Sequence, residues 1–151
     1  MTITIGPVAT EPRIDPRPRP VRVAIVDDND DLRQLLRLWL EGERDFELVG
    51  EAADGHGAVQ LARATQPDVV VLDVDMPVMS GLDALPLLRA VSPATKVILY
   101  SAKDRRLEAL AAGATTYLSK SASIPSIIDT VRRTAGSPVS PGRAAAELSP
   151  H

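Results

Sequence analysis

Residues 21–135 consist of hydrophobic blocks whose period changes from one block to the next. Short apolar runs without a polar face predict buried strands, whereas apolar residues at spacings of three and four predict helices. The predicted strands cover residues 21–26, 46–53, 69–72, 95–100 and 115–118. Helical spacing follows each of them, with apolar positions within residues 32–40, 58–62, 82–91, 107–112 and 127–131. Strand and helix therefore alternate five times.

The most informative block is Val69-Val70-Val71-Leu72, which ends abruptly at Asp73. Four consecutive apolar residues predict a central strand of a parallel sheet, buried on both faces. In open parallel sheets the functional crevice lies at the carboxyl ends of the strands, where Asp73 falls. Because Asp also commonly begins a turn after a strand, this stretch alone leaves both interpretations open.

The alternation predicts an α/β fold, with a doubly wound, five-stranded parallel sheet and helices on both faces. We assign this single domain to residues 21–135. Residues 1–20 contain five prolines interspersed with arginines, which predicts a disordered Pro/Arg-rich tail. Residues 136–151 have no sustained apolar period and are expected to form a linker or a disordered C-terminal tail.

Composition excludes several classes of protein. The chain has no cysteine and two histidines, so a thiolate metal site and an all-imidazole site are both excluded. A net charge of −3 without a dense basic cluster argues against direct nucleic-acid binding by this chain. No apolar run approaches the roughly 20 residues of a membrane span, and no signal-peptide pattern is present. The expectation is a soluble cytoplasmic protein without membrane association.

Reactive side chains follow four of the five predicted strands. Asp27 and Asp28 follow the first strand, Asp73 the third, Ser101 the fourth and Lys120 the fifth. A parallel sheet brings these ends to one edge, where carboxylates repel one another unless a cation joins them. Oxygen ligands without histidine or cysteine favour Mg²⁺, and a lysine with a hydroxyl supplies donors for an anion. The predicted pocket therefore suits a phosphoryl group bound between Mg²⁺ and Lys120.

The combined pattern resembles a response-regulator receiver domain of two-component signalling. The residues that carry the resemblance are Asp27-Asp28, Asp73 with Met76-Pro77 and Gly81, Ser101-Ala102, and Tyr117 three residues before Lys120. Ser121 follows Lys120 where many members have proline, which is similar to receivers joined to helix-turn-helix output domains. The resemblance implies a flavodoxin-like sheet of strand order 2-1-3-4-5.

The resemblance also implies roles for the site residues. Asp73 would be the phosphoacceptor that takes a phosphoryl group from a sensor histidine kinase. Asp28 and Asp73 would bind Mg²⁺ directly, together with the backbone carbonyl of Asp75, and Asp27 would act mainly through water. Lys120 would pair with the phosphoryl group. The chain would be a signalling switch with self-phosphorylation and autodephosphorylation chemistry, not an enzyme acting on a separate substrate.

Switching, by the same resemblance, would involve Ser101 and Tyr117. Ser101 would move to hydrogen-bond the phosphoryl group, and Tyr117 would swing inward behind it. Both would act on the face formed by the fourth helix, fifth strand and fifth helix. The segment from Ser101 to Gly113 is shorter than is usual in the family, which leaves the mode of homodimerisation open.

Asp75 and Lys103 occupy positions that in this family affect the lifetime of the acyl phosphate. Asp75 would add an extra acid beside the site, with Lys103 as a candidate partner. An altered phosphoryl lifetime is therefore a hypothesis for this chain.

Two alternatives remain at this point. Asp73-Val74-Asp75 resembles the nucleophile and general-acid pair of a small aspartyl-nucleophile phosphatase of haloacid-dehalogenase type. The output is also open, because the chain could act through a downstream protein or precede a C-terminal DNA-binding domain. The cognate kinase, its signal and the target cannot be read from these residues.

Overall fold

A computed structural model describes residues 2–6 and 19–136 and confirms the alternation of strands and helices. The strands are β1 Ile3–Ile5, β2 Val21–Val26, β3 Phe46–Ala52, β4 Val69–Asp73, β5 Lys96–Ser101 and β6 Thr116–Ser119. The helices are α1 Asp30–Glu41, α2 Gly55–Thr65, α3 Gly81–Val91, α4 Arg106–Ala111 and α5 Ile124–Ala135. Among the helices of this described part, none is both long enough and apolar enough to cross a bilayer.

The strands form one sheet in the order β1-β3-β2-β4-β5-β6. All neighbours from β3 to β6 pair in parallel, which confirms the predicted parallel sheet of five strands and its order. Successive residues of the central strands point to opposite faces, and both faces are covered by helices. Ala24 and Val26 pack in a cluster with α2, α3 and α4, whereas Val23 and Ile25 pack with α1 and α5. Apolar runs without polar alternation are the sequence signature of this double coverage.

Polar caps set the start of the helices that follow the strands. The side chain of Asn29 accepts a hydrogen bond from the backbone N–H of Leu32, 3.0 Å away, at the start of α1. The same type of bond begins three further helices, capped by Asp54, Ser80 and Ser123. Each cap satisfies a backbone donor that the first helical turn leaves unpaired. Helix α4 has six residues and no side-chain cap at Arg105.

A sixth strand, β1, lies where the sequence predicted a disordered tail, and for Ile3–Ile5 that prediction is wrong. β1 pairs antiparallel with the edge of β3, next to Gly50. An added Cβ at Gly50 would lie 2.1 Å from the carbonyl oxygen of Thr4, so the glycine permits this pairing. The open edge of β3 presents unpaired backbone groups, and the β-branched Ile-Thr-Ile segment can satisfy them. The predictions for residues 7–18 and 137–151 lie outside the described residues.

Candidate functional site

The carboxyl edge of the sheet brings together the predicted charged residues. Asp27 directly follows β2, Asp73 ends β4, and Lys120 directly follows β6. The ammonium of Lys120 lies 3.3 Å from Oδ2 of Asp27 and 3.1 Å from Oδ2 of Asp73. Both carboxylates are completely buried, whereas the lysine side chain is 21% exposed. Three residues far apart in sequence thus form one charged pocket that opens to solvent beside the lysine.

Asp73 is the most strongly perturbed acid of this pocket. Its Oδ1 accepts a hydrogen bond from the backbone N–H of Asp75 at 3.0 Å. Its Oδ2 is buried and faces Lys120 as an ion pair, without the alignment of a hydrogen bond. Burial and the nearby charge of Asp27 raise the pKa of Asp73 to about 7, although the Asp75 N–H and Lys120 oppose the rise. The single positive charge of Lys120 therefore does not neutralise the two buried carboxylates. A second cation bound in the pocket would offset the remaining negative charge.

Lys120 keeps its proton in this pocket. Burial by itself would lower the pKa of the ammonium, but its contacts with Asp73 and Asp27 outweigh burial and raise the pKa. The ammonium also lies 5.0 Å from the centre of the Tyr100 ring, within reach of a cation–π contact. A positive charge is thus held permanently against the two carboxylates.

Tyr100 also belongs to this pocket, although its position in the sequence indicated only a place in a strand. Its hydroxyl is buried and donates a hydrogen bond to Oδ2 of Asp27. The backbone N–H of Asn29 donates to the other oxygen of Asp27, 2.8 Å away. Burial and the charge of Asp27 raise the pKa of Tyr100 far above its ordinary value, so the phenol stays protonated. The sequence feature that could have identified Tyr100 is its hydroxyl group at the end of a central strand, next to Ser101.

Three carboxylates lie close enough to share one metal ion. One oxygen from each of Asp27, Asp28 and Asp73 lies within 4.8 Å of the others. Asp28 is exposed, whereas the other two are buried. A donor set made only of carboxylate oxygens fits a hard divalent ion such as Mg²⁺. Both oxygens of Asp27 already accept hydrogen bonds, which leaves Asp28 and Asp73 as the less committed ligands.

The side chain of Asp75 points away from this cluster. Its Oδ2 accepts a hydrogen bond from the Ser101 hydroxyl at 2.5 Å, and its Oδ1 lies 3.8 Å from the guanidinium of Arg105. The expectation that Lys103 is the cationic partner of Asp75 is wrong, because Arg105 takes that place. Lys103 contributes to these contacts through its backbone N–H, which donates a hydrogen bond to the Ser101 hydroxyl. The role of Arg105 was not predictable from the sequence, because the conformation of the β5–α4 loop determines which cationic side chain reaches Asp75.

Tyr117, the second predicted switch residue, lies half-buried on β6. Its hydroxyl donates to the carbonyl of Lys103 at 2.6 Å and accepts from the backbone N–H of Arg105 at 3.1 Å. Ser101 and Tyr117 are therefore both bonded to the same loop between β5 and α4.

Gly81 lets the start of α3 pack against the end of β4. An added Cβ there would lie 2.2 Å from the carbonyl oxygen of Asp73. The backbone N–H of Gly81 donates to the carbonyl of Val74 at 2.9 Å. The glycine thus fixes the loop that carries Asp75 close to Asp73.

The sequence model of the response regulator receiver domain matches residues 23–132. The chain belongs to this family. Among solved structures, the signal receiver domain of a response regulator named NarL from Mycobacterium tuberculosis is similar, with a TM-score of 0.75 and 34% identity. That likeness covers 80% of this chain and 100% of the other. The receiver family, its flavodoxin-like fold and its place in two-component signalling are therefore established for this chain.

The curated relatives are longer than the stretch that this chain matches. A protein-glutamate methylesterase/protein-glutamine glutaminase of Maricaulis maris is 40% identical, over 72% of this chain and 28% of its own length. The uncharacterized transcriptional regulatory protein YxjL of Bacillus subtilis is 36% identical, over 76% of this chain and 54% of its own length. The chain thus spans about a quarter to a half of these relatives, and their whole-protein activities do not transfer to it directly.

Proposed function

We propose that this chain is a phosphoacceptor switch that takes a phosphoryl group on Asp73 from the phosphohistidine of a sensor kinase. The observation that carries the proposal is the position of Lys120, whose ammonium faces buried Asp73 and Asp27 within 3.3 Å. A buried carboxylate beside a fixed cation suits attack on an anionic donor, because the cation offsets the charge of the phosphoryl oxygens.

The reaction requires little of the protein beyond this arrangement. A carboxylate oxygen of Asp73 attacks the phosphorus of the donor, and a new O–P bond forms. The bond from phosphorus to the donor's imidazole breaks, and that nitrogen keeps the electron pair and takes a proton from solvent. Water later attacks the acyl phosphate, which regenerates the carboxylate and releases inorganic phosphate. Lys120 holds positive charge beside the transferred oxygens throughout.

The donor set fits Mg²⁺ in this reaction. Asp28 and Asp73 would hold the ion directly, with the backbone carbonyl of Asp75, and Asp27 would act through water. The hydrogen bonds to both oxygens of Asp27 support this division of roles. Mg²⁺ bound there supplies positive charge to the phosphoryl oxygens as they transfer. The raised pKa of Asp73 supports the same view, since a second cation would relieve the repulsion between the two buried acids.

Phosphorylation would be read out on the face of α4, β6 and α5. Ser101 ends β5 beside the pocket, and Tyr117 lies on β6. A phosphoryl group on Asp73 offers new acceptors for the Ser101 hydroxyl, which biases a two-state equilibrium that also includes Tyr117. The output would be a downstream protein, a second copy of the chain or an attached DNA-binding region. The cytoplasmic location and the partnership with a sensor histidine kinase stay predictions.

Incubation with acetyl phosphate and Mg²⁺, followed by intact mass, tests the proposal. We expect one added phosphoryl group on the wild-type chain and none on Asp73→Asn. Asp83→Asn, a change of an exposed acid in the first turn of α3, serves as the matched control and should label normally. Absence of labelling on the wild type, or persistence of labelling in Asp73→Asn, would contradict the proposal. Repeated turnover of a small phosphomonoester would instead favour the phosphatase alternative.

A further inference from the structure

Five residues beside the pocket form a closed ring of polar contacts, which we call the polar ring. The Ser101 hydroxyl accepts from the N–H of Lys103 at 3.1 Å and donates to Asp75 at 2.5 Å. The Tyr117 hydroxyl donates to the carbonyl of Lys103 at 2.6 Å and accepts from the N–H of Arg105 at 3.1 Å. The guanidinium of Arg105 closes the ring at 3.8 Å from Asp75.

The polar ring competes directly with both movements of the proposed switch. The Ser101 hydroxyl has one proton, so it cannot donate to Asp75 and to a phosphoryl oxygen at the same time. The Tyr117 hydroxyl likewise has one proton, which it donates to the Lys103 carbonyl. An inward movement of Tyr117 must break that bond and the bond from Arg105. Activation at Asp73 therefore has to open the ring at two points.

The contact between Arg105 and Asp75 is weak enough to be broken during switching. The side chain of Arg105 is 31% exposed, and its contact with Asp75 is longer than a good charged hydrogen bond. Its other acidic neighbour is Glu108, at 3.4 Å and largely exposed. The buried Nε of Arg105 has no hydrogen-bond partner among the described residues. Ion pairs with this exposure contribute little to stability and are easily exchanged.

Arg105 also connects the ring to the output face. It is the residue directly before α4, and its side chain makes no capping bond to that helix. The same residue thus contacts Asp75 through its side chain and Tyr117 through its backbone. A change at Asp75 can reach the start of α4 through a single residue.

We propose that Asp75 and Arg105 form a latch that holds Ser101 and Tyr117 in the resting arrangement and opposes activation. This inference rests on the proposed function and assigns Asp75 and Arg105 as positioning residues. The latch is a charge pair closing a hydrogen-bonded loop, so its loss should favour the activated arrangement even before any phosphoryl group arrives. Asp75 acts here through its carboxylate, whereas its backbone N–H remains bonded to Asp73.

The test compares Asp75→Ala and Arg105→Gln with the wild-type chain by amide NMR, first without metal or phosphodonor. The amide signals of Lys103, Arg105 and Tyr117 should move toward the positions that they take with Mg²⁺ and fluoroberyllate, a phosphoryl analogue. In a titration of the Mg²⁺-loaded protein, the fluoroberyllate midpoint should fall by about 5-fold or more, as expected for typical coupling between sites. Arg105→Lys keeps the charge and should recover a midpoint closer to the wild type.

Glu108→Gln is the matched control, because it removes the other acidic neighbour of Arg105 and leaves Asp75 in place. It should leave the signals and the midpoint unchanged. The proposal is overturned if Asp75→Ala and Arg105→Gln behave as the wild type, or if Glu108→Gln gives the same shift. A wild-type chain that does not bind fluoroberyllate would contradict the proposed function instead. In that case the signals of the free chain decide, since they report whether the two variants release Tyr117 and Lys103.

Discussion

The charged pocket and the polar ring lie side by side at the same edge of the sheet, yet they are held by different physics. In the pocket, Asp27 and Asp73 are completely buried, and their charges act at low dielectric. In the ring, the side chains of Asp75 and Arg105 are 36% and 31% exposed, so water and salt screen their attraction. Burial makes the pocket chemically strong and costly to disturb. Because the polar ring is partly exposed, breaking its contacts requires little free energy, as expected for a region that moves during switching.

The largest expected effect is the removal of the pocket's lysine. In Lys120→Met, no ammonium faces Asp73, so the pKa of that acid should rise further and the carboxylate should be protonated at neutral pH. We expect phosphorylation by acetyl phosphate to slow by about 100-fold or more, the loss typical of removing a preorganised electrostatic contact. Intact mass over time measures the rate.

Lys120→Arg keeps the positive charge and serves as the control, with a smaller loss of rate. Labelling of Lys120→Met at the wild-type rate would show that the positive charge of Lys120 does not promote phosphorylation of Asp73.

The pH dependence of stability separates the two regions next. The pKa of Asp73 is about 7 in the folded chain, well above the roughly 4 of an unfolded aspartate, so the folded chain binds the extra proton between these values. Stability from this group is fully present below about pH 4 and is lost as the pH rises through about 7. The slope should reach at most about 1.4 kcal/mol per pH unit. Urea unfolding of the metal-free chain in EDTA measures it.

Asp73→Asn provides the reference, because an amide does not titrate. The difference in unfolding free energy between wild type and variant should shrink toward acid pH and grow toward neutral pH in favour of the variant. Asp75→Asn, in the exposed ring, leaves Asp73 unchanged and should therefore keep the slope that Asp73 produces. Equal slopes for wild type and Asp73→Asn would show that the buried acid is not perturbed as we describe.

The same substitution in both regions gives the smallest but sharpest contrast. Tyr100→Phe removes a donor from a buried carboxylate and should lower the unfolding free energy by about 1–3 kcal/mol. Tyr117→Phe removes a half-exposed hydroxyl and should lower it by about 0.5–1.5 kcal/mol. Urea unfolding at one pH compares the two. A larger loss for Tyr117→Phe would reverse the assignment of the pocket as the rigid region and the ring as the movable one.

Much of the fold and of the site followed from periodicity. Five apolar blocks with helical segments between them specified a parallel sheet, and the ends of its strands specified that Asp27, Asp73, Ser101 and Lys120 would gather. The edge strand β1 did not follow, because Ile3–Ile5 is too short to show a period and its neighbours are rich in proline. Its position depends on the free edge of β3 and on Gly50, which belong to a distant part of the chain.

The specific side-chain contacts at the carboxyl edge of the sheet were not predictable from the sequence. Spacing along a strand states which face and which end a residue occupies, and that was enough for the acids and the lysine. Tertiary packing alone decided that Tyr100 bonds Asp27 and that Arg105, not Lys103, faces Asp75. The physical reason is range: backbone periodicity is local, whereas a hydrogen bond or ion pair depends on loop paths and rotamers set by the whole packed core. The chain's sequence thus placed the chemistry, and its folded packing set which groups hold that chemistry at rest.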